Sequence, residues 1–220
     1  MYVNGEWLVK EQKIKVRNPA TGELVQEVDK GSKEDAIHAI ESAKHAFPTW
    51  SQTIAIEKAQ MLEKIAAMIL ERKEDLALTI TTEMGKPILN SYYEVDSTAA
   101  YFKWFAEEAR RIYGEQIPSN APNKRLLTIK QPIGVVAAIT PWNFPLQMLS
   151  RKLAPALAAG CTCLIRPSNQ SPLSAIKLVK IFEECGIPRG VVNLVIGGAE
   201  EITDVWLASP DVKKLSLIHI

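Results

Sequence analysis

From residue 133 onward one pattern repeats, and it restricts the fold more than any single residue does. Gly134-Val135-Val136-Ala137-Ala138-Ile139-Thr140 is a short apolar run without a charge, the mark of a strand buried on both faces of a parallel sheet. A helix is predicted over 145–159, with Pro145 in its first turn and Gly160 at its end. A strand over 162–165 follows, then a helix over 173–185 closed by Gly186, then a strand over 191–196. Past Gly197-Gly198 come a helix over 199–208 and a fourth strand over 212–217. This β-α-β-α-β-α-β order predicts an α/β fold: a Rossmann-like, doubly wound parallel sheet with right-handed crossovers.

The preceding residues carry mainly helical periodicity. Residues 2–9 alternate weakly and read as a short strand or extended arm. Asn18-Pro19-Ala20-Thr21-Gly22 is a turn, and a strand over 24–28 makes a small hairpin. Ser32 is an N-cap with Asp35 three residues on, and Ala36, Ile37, Ile40, Ala43 and Phe47 recur at helical spacing. A second helix spans 54–72, with Ile56, Ala59, Leu62, Ile65, Ala66 and Ile69 on one face. A further turn or two over 74–84 stops at Gly85, with Pro87 beyond. A third helix spans 90–113 on the stripe Val95, Ala99, Phe102, Ala106, Ala109 and Ile112. Tyr101, Trp104 and Phe105 beside that stripe read as core or interface packing. Residues 115–123 are polar, hold Pro118 and Pro122, and precede a strand over 125–129. The chain thus divides into an arm with helices (1–113), a hairpin (114–131) and the sheet region (132–220).

Composition excludes several function classes. The 26 basic and 25 acidic side chains give a net charge of +1, without the positive field that nucleic acid or an anionic membrane surface needs. Charges alternate in sign along the helices and read as solvated faces. The first ten residues have no apolar core, so no signal peptide is expected, and no run of 18 apolar residues predicts a membrane span. Cys161, Cys163 and Cys185 are odd in number, which points to a reducing compartment, with the cytoplasm as default. Cys161 and Cys163 alternate along a strand and form no C-x-x-C pair; all three read as structural. His38, His45 and His219 are scattered, so no metal site is expected.

Chemistry is expected where the strands end, because ligands of open α/β sheets bind at the strands' carboxyl ends. Three segments leave those ends: 140–145, 166–170 and 197–201. The dinucleotide fingerprint G-x-G-x-x-G is absent; the third strand ends Gly197-Gly198-Ala199-Glu200-Glu201, where the glycines can serve the turn alone. Glu200 and Glu201 satisfy the helix dipole themselves and oppose a pyrophosphate on that helix end. A dinucleotide held here would not place its phosphates in the usual Rossmann way. Pro141-Trp142-Asn143-Phe144-Pro145 is either a rigid packed turn or a turn that holds Asn143 in a dry pocket as donor to a developing oxyanion. Arg166, at a strand end before Pro167, suits a ribose or phosphate group, or else a surface ion pair.

Together, Val3-Asn4-Gly5-Glu6-Trp7, Asn18 to Gly22, Glu83-Met84-Gly85-Lys86-Pro87, 114–118, Pro141 to Pro145 and Gly190-Val191-Val192-Asn193 give a specific pattern. Over residues 2–216 the chain resembles the aldehyde dehydrogenase superfamily, and over 113–161 it is most similar to succinate-semialdehyde dehydrogenases. The resemblance implies NAD or NADP as cofactor, an aldehyde as substrate and a homo-oligomer paired through the hairpin about 116–130. It makes Asn143 the oxyanion-hole residue and lays Ile139, Thr140, Pro141 and Trp142 against the cofactor. Arg166 stands where the family usually has Lys at the adenosine ribose. Ser168 and Asn169 match ribose-binding positions, with Asn169 where NAD-preferring members often carry Glu. Gly197, Ala199 and Glu200 match the turn near the adenine and diphosphate, while Thr203 replaces a frequent Gly. After Ser216 the family pattern breaks off at Leu217-Ile218-His219-Ile220. The expectation is therefore a fragment truncated before the catalytic domain, without nucleophilic Cys or general-base Glu, and inactive by itself. The rival expectations are a non-catalytic cofactor-binding or subunit-pairing fragment, and a truncation product without a role.

Overall fold

The computed structural model describes residues 1–217 of the chain. It opens with a hairpin, β1 (Tyr2–Val3) and β2 (Glu6–Trp7), closed by Asn4-Gly5. Both turn residues have positive φ, 53° and 79°, which a two-residue hairpin turn requires and which Asn-Gly tolerates. β3 (Lys13–Arg17) and β4 (Leu24–Asp29) form a second antiparallel hairpin. Helix α1 (Lys33–Gln52) starts on the expected capping box: Ser32 accepts from the Asp35 amide while the Asp35 carboxylate accepts from the Ser32 amide. α2 (Ala55–Glu71), α3 (Lys73–Met84) and α4 (Ile88–Ala109) follow.

Two expectations need correction here. α3 is a complete helix of 12 residues, not a turn or two; it is weakly amphipathic, so periodicity undersold it. α4 stops at Ala109, and Ile112 lies beyond it, 40% exposed. The hairpin β5 (Glu115–Ile117) and β6 (Leu126–Thr128) projects with both strands largely exposed.

The repeating half then forms β7 (Val135–Ile139), α5 (Gln147–Ala158), β8 (Thr162–Arg166), α6 (Leu173–Cys185), β9 (Val192–Leu194), α7 (Ala199–Ala208) and β10 (Val212–Ser216). The four strands are parallel in the order β9-β8-β7-β10, so the winding direction reverses between β7 and β10. That reversal is the topological switch point of a doubly wound sheet. The sheet is mixed, however, and not wholly parallel. β1 adds to β9 antiparallel, with Tyr2 opposite Leu194, and β2 forms the edge. The arm thereby covers backbone groups that β9 would otherwise leave open.

Successive strand residues point to opposite faces, and each face has its own core. Val135, Ala137, Ile139, Leu164 and Val195 pack beneath α1 and α7, with Trp206 fully buried among them. Ala138, Cys163, Ile165 and Leu194 face the other helices, where Phe102 of α4 meets Phe182 of α6 edge-on at 5.6 Å. The amino-terminal helices therefore share one core with the sheet rather than forming a separate body. Among the described residues no helix is long and apolar enough to cross a membrane.

Candidate functional site

The three crossings out of β7, β8 and β9 lie side by side. The Thr140 amide donates to the Arg166 carbonyl at 3.1 Å, which keeps the ends of β7 and β8 level. Arg166 is buried and donates from Nη2 to the Gly197 carbonyl at 3.1 Å, which ties the end of β8 to the end of β9. Burial lowers its pKa below the usual arginine value. The surface ion-pair reading of Arg166 is thus excluded.

Asn143 differs from expectation. The turn that carries it is hydrogen-bonded through its backbone, but its side chain is exposed, as are Trp142 and Phe144, while Pro141 is half-buried. No dry pocket surrounds it, because no described element stands opposite the turn. The backbone is held from behind instead. Ser171 Oγ donates to the Trp142 carbonyl at 3.4 Å, and Lys86 Nζ donates to the Asn143 carbonyl at 3.0 Å. The same ammonium stands 3.7 Å from the centre of the Phe144 ring and pairs with Glu94. Glu94 Oε1 accepts from the amides of Leu146, at 2.9 Å, and Gln147, at 3.1 Å, and so caps α5.

Ser168 and Asn169 are half-buried in the loop after β8, with Ser168 Oγ accepting from the Gln170 amide at 3.2 Å. Gly197 is explained by packing: a Cβ there would lie 2.5 Å from the carbonyl oxygen of Gly31, its partner in a parallel bridge. Ala199 and Glu200 begin α7 and are exposed. Ile139 is buried at the end of β7.

Five buried side-chain polar atoms lack a partner among the described residues: Trp50 Nε1, Arg110 Nε, Thr140 Oγ1, Arg166 Nε and Asn169 Oδ1. Three of them belong to residues at or just past the carboxyl ends of β7 and β8, with Thr140 and Arg166 turned to opposite faces of the sheet. Each unpaired buried group costs about 1–3 kcal/mol, so Arg166 Nε and Asn169 Oδ1, on the segment that leaves β8, fit a ligand that pairs with them. A guanidinium N–H and an amide oxygen suit the hydroxyl and phosphate groups of a nucleotide.

Sequence reasoning missed Glu83, Lys86 and Glu94, whose charges it assigned to solvated faces; all three are buried. Glu83 accepts from the amides of Leu173, at 2.6 Å, and Ser174, at 2.9 Å, and from the Ser174 hydroxyl, and so caps α6. Burial pushes its carboxyl up to about 7 against those hydrogen bonds. Glu83 and Lys86 lie in the Glu83–Pro87 landmark itself, which was the available signal. All three cysteines are buried and free, and burial drives the Cys163 thiol well above its ordinary range. The described residues hold no group of three or more His, Cys, Asp and Glu that fits a metal ion.

Comparison with known proteins identifies the family and the fold. The model of the aldehyde dehydrogenase family matches residues 7–218. The chain belongs to the aldehyde dehydrogenase family. It is 48% identical over 217 residues to the glutarate-semialdehyde dehydrogenase of Pseudomonas putida, covering 98% of this chain and 45% of that protein. It is 44% identical over 216 residues to the NADP(+) succinate-semialdehyde dehydrogenase of Escherichia coli, covering 97% of this chain and 45% of the relative. A crystal structure of an NADP-dependent enzyme from Escherichia coli superposes with a TM-score of 0.96 at 43% identity, covering 97% of this chain and 45% of that one. The NAD+ complex of betaine aldehyde dehydrogenase from Staphylococcus aureus gives 0.95 at 38% identity, covering 97% and 43%. The chain thus spans about 45% of the length of the curated relatives it matches.

Proposed function

We propose that this chain is the cofactor-side portion of an NAD(P)-dependent aldehyde dehydrogenase for a short aldehyde with a carboxylate at its far end. Succinate semialdehyde is the first candidate and glutarate semialdehyde the second, since relatives named for both align over nearly the whole chain. The observation that carries the reading is the buried Arg166, its Nε unpaired among the described residues, at the strand ends beside a turn whose backbone is clamped and whose Asn143 side chain is open.

When bound, the nicotinamide supplies the hydride acceptor. Arg166, Ser168 and Asn169 would hold the ribose and its substituents. Ile139, Thr140, Pro141 and Trp142 would form the turn against the cofactor, and Gly197, Ala199 and Glu200 would shape its adenine side. Asn143 donates its side-chain N–H to the oxygen of the aldehyde as negative charge develops there. The nucleophilic Cys and the general-base Glu belong to the remainder of the longer protein, because Cys161, Cys163 and Cys185 are buried away from the turn. Neutral Asn169 and cationic Arg166 leave room for a 2′-phosphate, so the enzyme accepts NADP as well as NAD. The exposed hairpin β5–β6 is the surface for pairing with a second subunit. The three free cysteines suit a reducing compartment such as the cytoplasm. By itself the chain is a cofactor-binding or subunit-pairing piece without turnover.

The test joins the chain to the carboxyl-terminal portion of the Pseudomonas putida relative and assays both semialdehydes with each cofactor. The joined protein is expected to turn over, and the 220-residue chain is not. Asn143→Ala should lower turnover by about 10²- to 10³-fold, and Asn169→Glu should disfavour NADP relative to NAD. A folded joined protein that oxidises no aldehyde overturns the reading.

A further inference from the structure

The side chains of Lys86 and Glu94 are 9% and 0% exposed, so both charges of this ion pair have left water. Such a pair is a poor stabilising device. Its desolvation costs several kcal/mol per ion, and apolar residues of similar volume often do as well or better. Stability alone therefore does not account for it. Its remaining contacts all end on one short segment. Lys86 Nζ donates to the Asn143 carbonyl and lies over the Phe144 ring, and Glu94 Oε1 accepts from the amides of Leu146 and Gln147.

The two elements that carry the pair are themselves fixed. Lys86 stands between Gly85, the left-handed cap of α3, and Pro87, the N-cap of α4, while Glu94 is two turns into α4. α5 has no side-chain cap of its own at Leu146, so Glu94 supplies that cap from a helix 52 residues earlier. One carboxylate and one ammonium thus set the backbone from Asn143 to Gln147. Within that segment they bond to backbone and meet the Phe144 ring, and the Asn143 side chain is exposed.

We infer that Lys86 and Glu94 are a positioning pair, which sets the Trp142–Phe144 backbone so that the Asn143 side chain meets the reacting carbonyl oxygen. The inference rests on the aldehyde dehydrogenase reading above. Arg is no substitute for Lys86: a planar guanidinium cannot serve a carbonyl, a carboxylate and a ring face from one point.

The test is a set of variants in the joined enzyme. Lys86→Met should lower kcat by about 10- to 100-fold, the scale of a misplaced catalytic group, with KM for the cofactor within about twofold. Lys86→Arg should not restore it. In the Asn143→Ala background Lys86→Met should cost less than about threefold more, because the group it positions is gone. The apolar pair Lys86→Met with Glu94→Leu controls for a stranded buried charge: it should still unfold cooperatively, below the parent by no more than the lost α5 cap, and be as slow as Lys86→Met. A folded apolar-pair variant with parental kcat, or equal losses from Lys86→Met with and without Asn143→Ala, overturns the inference. If the parental joined enzyme is inactive, the function fails first, and the 220-residue chain still tests the positioning. The Trp142 indole and Asn143 amide resonances should shift or broaden in the apolar pair while those of β9 stay in place; unchanged turn resonances overturn it.

Discussion

The turn after β7 and the turn after β9 occupy equivalent places in the winding, yet they are held in opposite ways. The first is fixed from behind by buried charges, Lys86 and Glu94, and shows Trp142, Asn143 and Phe144 to the outside. The second is fixed by backbone contact, Gly197 against Gly31, and shows the acids Glu200 and Glu201. What they share is a carboxylate at the following helix: Glu94 for α5, Glu200 and Glu201 for α7, and Glu83 for α6 between them. A helix N-terminus attracts anions only while its amides are unclaimed. α5 and α6 offer no bare end to a phosphate, whereas α7 has no side-chain cap and sets two acidic side chains in its first turn instead.

The difference between inner and outer carboxylates should be largest in stability. Glu94→Ala leaves Lys86 charged and buried without its partner, and should lower the unfolding free energy by about 3–5 kcal/mol. Glu200→Ala removes an exposed charge from a first turn and should cost less than about 1 kcal/mol. Urea titrations of both variants check this, and similar losses would erase the distinction.

Glu83 sharpens the same contrast through pH. Its folded pKa is raised from 4.5 to about 7, with burial as the first cause. The folded state therefore holds its proton more tightly than the unfolded chain does. Its contribution is fully present below about 4.5 and is lost as pH rises through about 7, a change of up to about 3 kcal/mol. The unfolding free energy of the parent minus that of Glu83→Gln should fall between pH 5 and pH 7.5. A gap independent of pH would mean that Glu83 is ionised throughout.

These inner carboxylates also mark where the sequence became unreadable. The bounds of α6 and α7 follow from periodicity and terminal glycines, because burial of one face is a local, repeating demand. The end of α4 does not: Ile112 continues the stripe, but the chain has already left the helix. The edge strand β1 was legible as an arm but not as a neighbour of β9, since the pairing of Tyr2 with Leu194 leaves no local trace. Asn143 was singled out by its bracketing prolines. Lys86 and Glu94 were missed because a charged letter reads as solvated until tertiary structure brings it a partner, here 57 and 52 residues away. The dry pocket expected at Asn143 needs a wall that the described residues do not supply.

Packing at the second turn yields a smaller effect. In Gly197→Ala the new Cβ meets backbone, the Gly31 carbonyl oxygen at 2.5 Å, which cannot move without opening the bridge. About 1–3 kcal/mol should be lost. In Gly198→Ala the nearest atom is the end of the Glu201 side chain at 3.1 Å, which can swing aside. That variant should stay within about 0.5 kcal/mol of the parent. Thermal unfolding of the two alanine variants separates a glycine required by packing from one that only serves the turn.

The smallest expected effect is the one most diagnostic of where the cofactor's phosphates lie. Glu200 and Glu201 put two negative charges in the first turn of α7, and Glu201 Oε1 also accepts from the Lys33 amide at 3.2 Å. If a pyrophosphate sat on this helix end, these charges would oppose it, and neutralising them would tighten binding. Two such charges at a partly exposed helix end are worth roughly 1 kcal/mol, or somewhat over fivefold in affinity, and the gain would shrink as salt is added. With the phosphates elsewhere, Glu200→Gln with Glu201→Gln should leave the Kd for NAD and NADP within about twofold at both low and high ionic strength. Fluorescence titration of the joined enzyme measures this directly. A salt-sensitive gain of fivefold or more would place the phosphates on α7 after all and would make the two turns functionally alike.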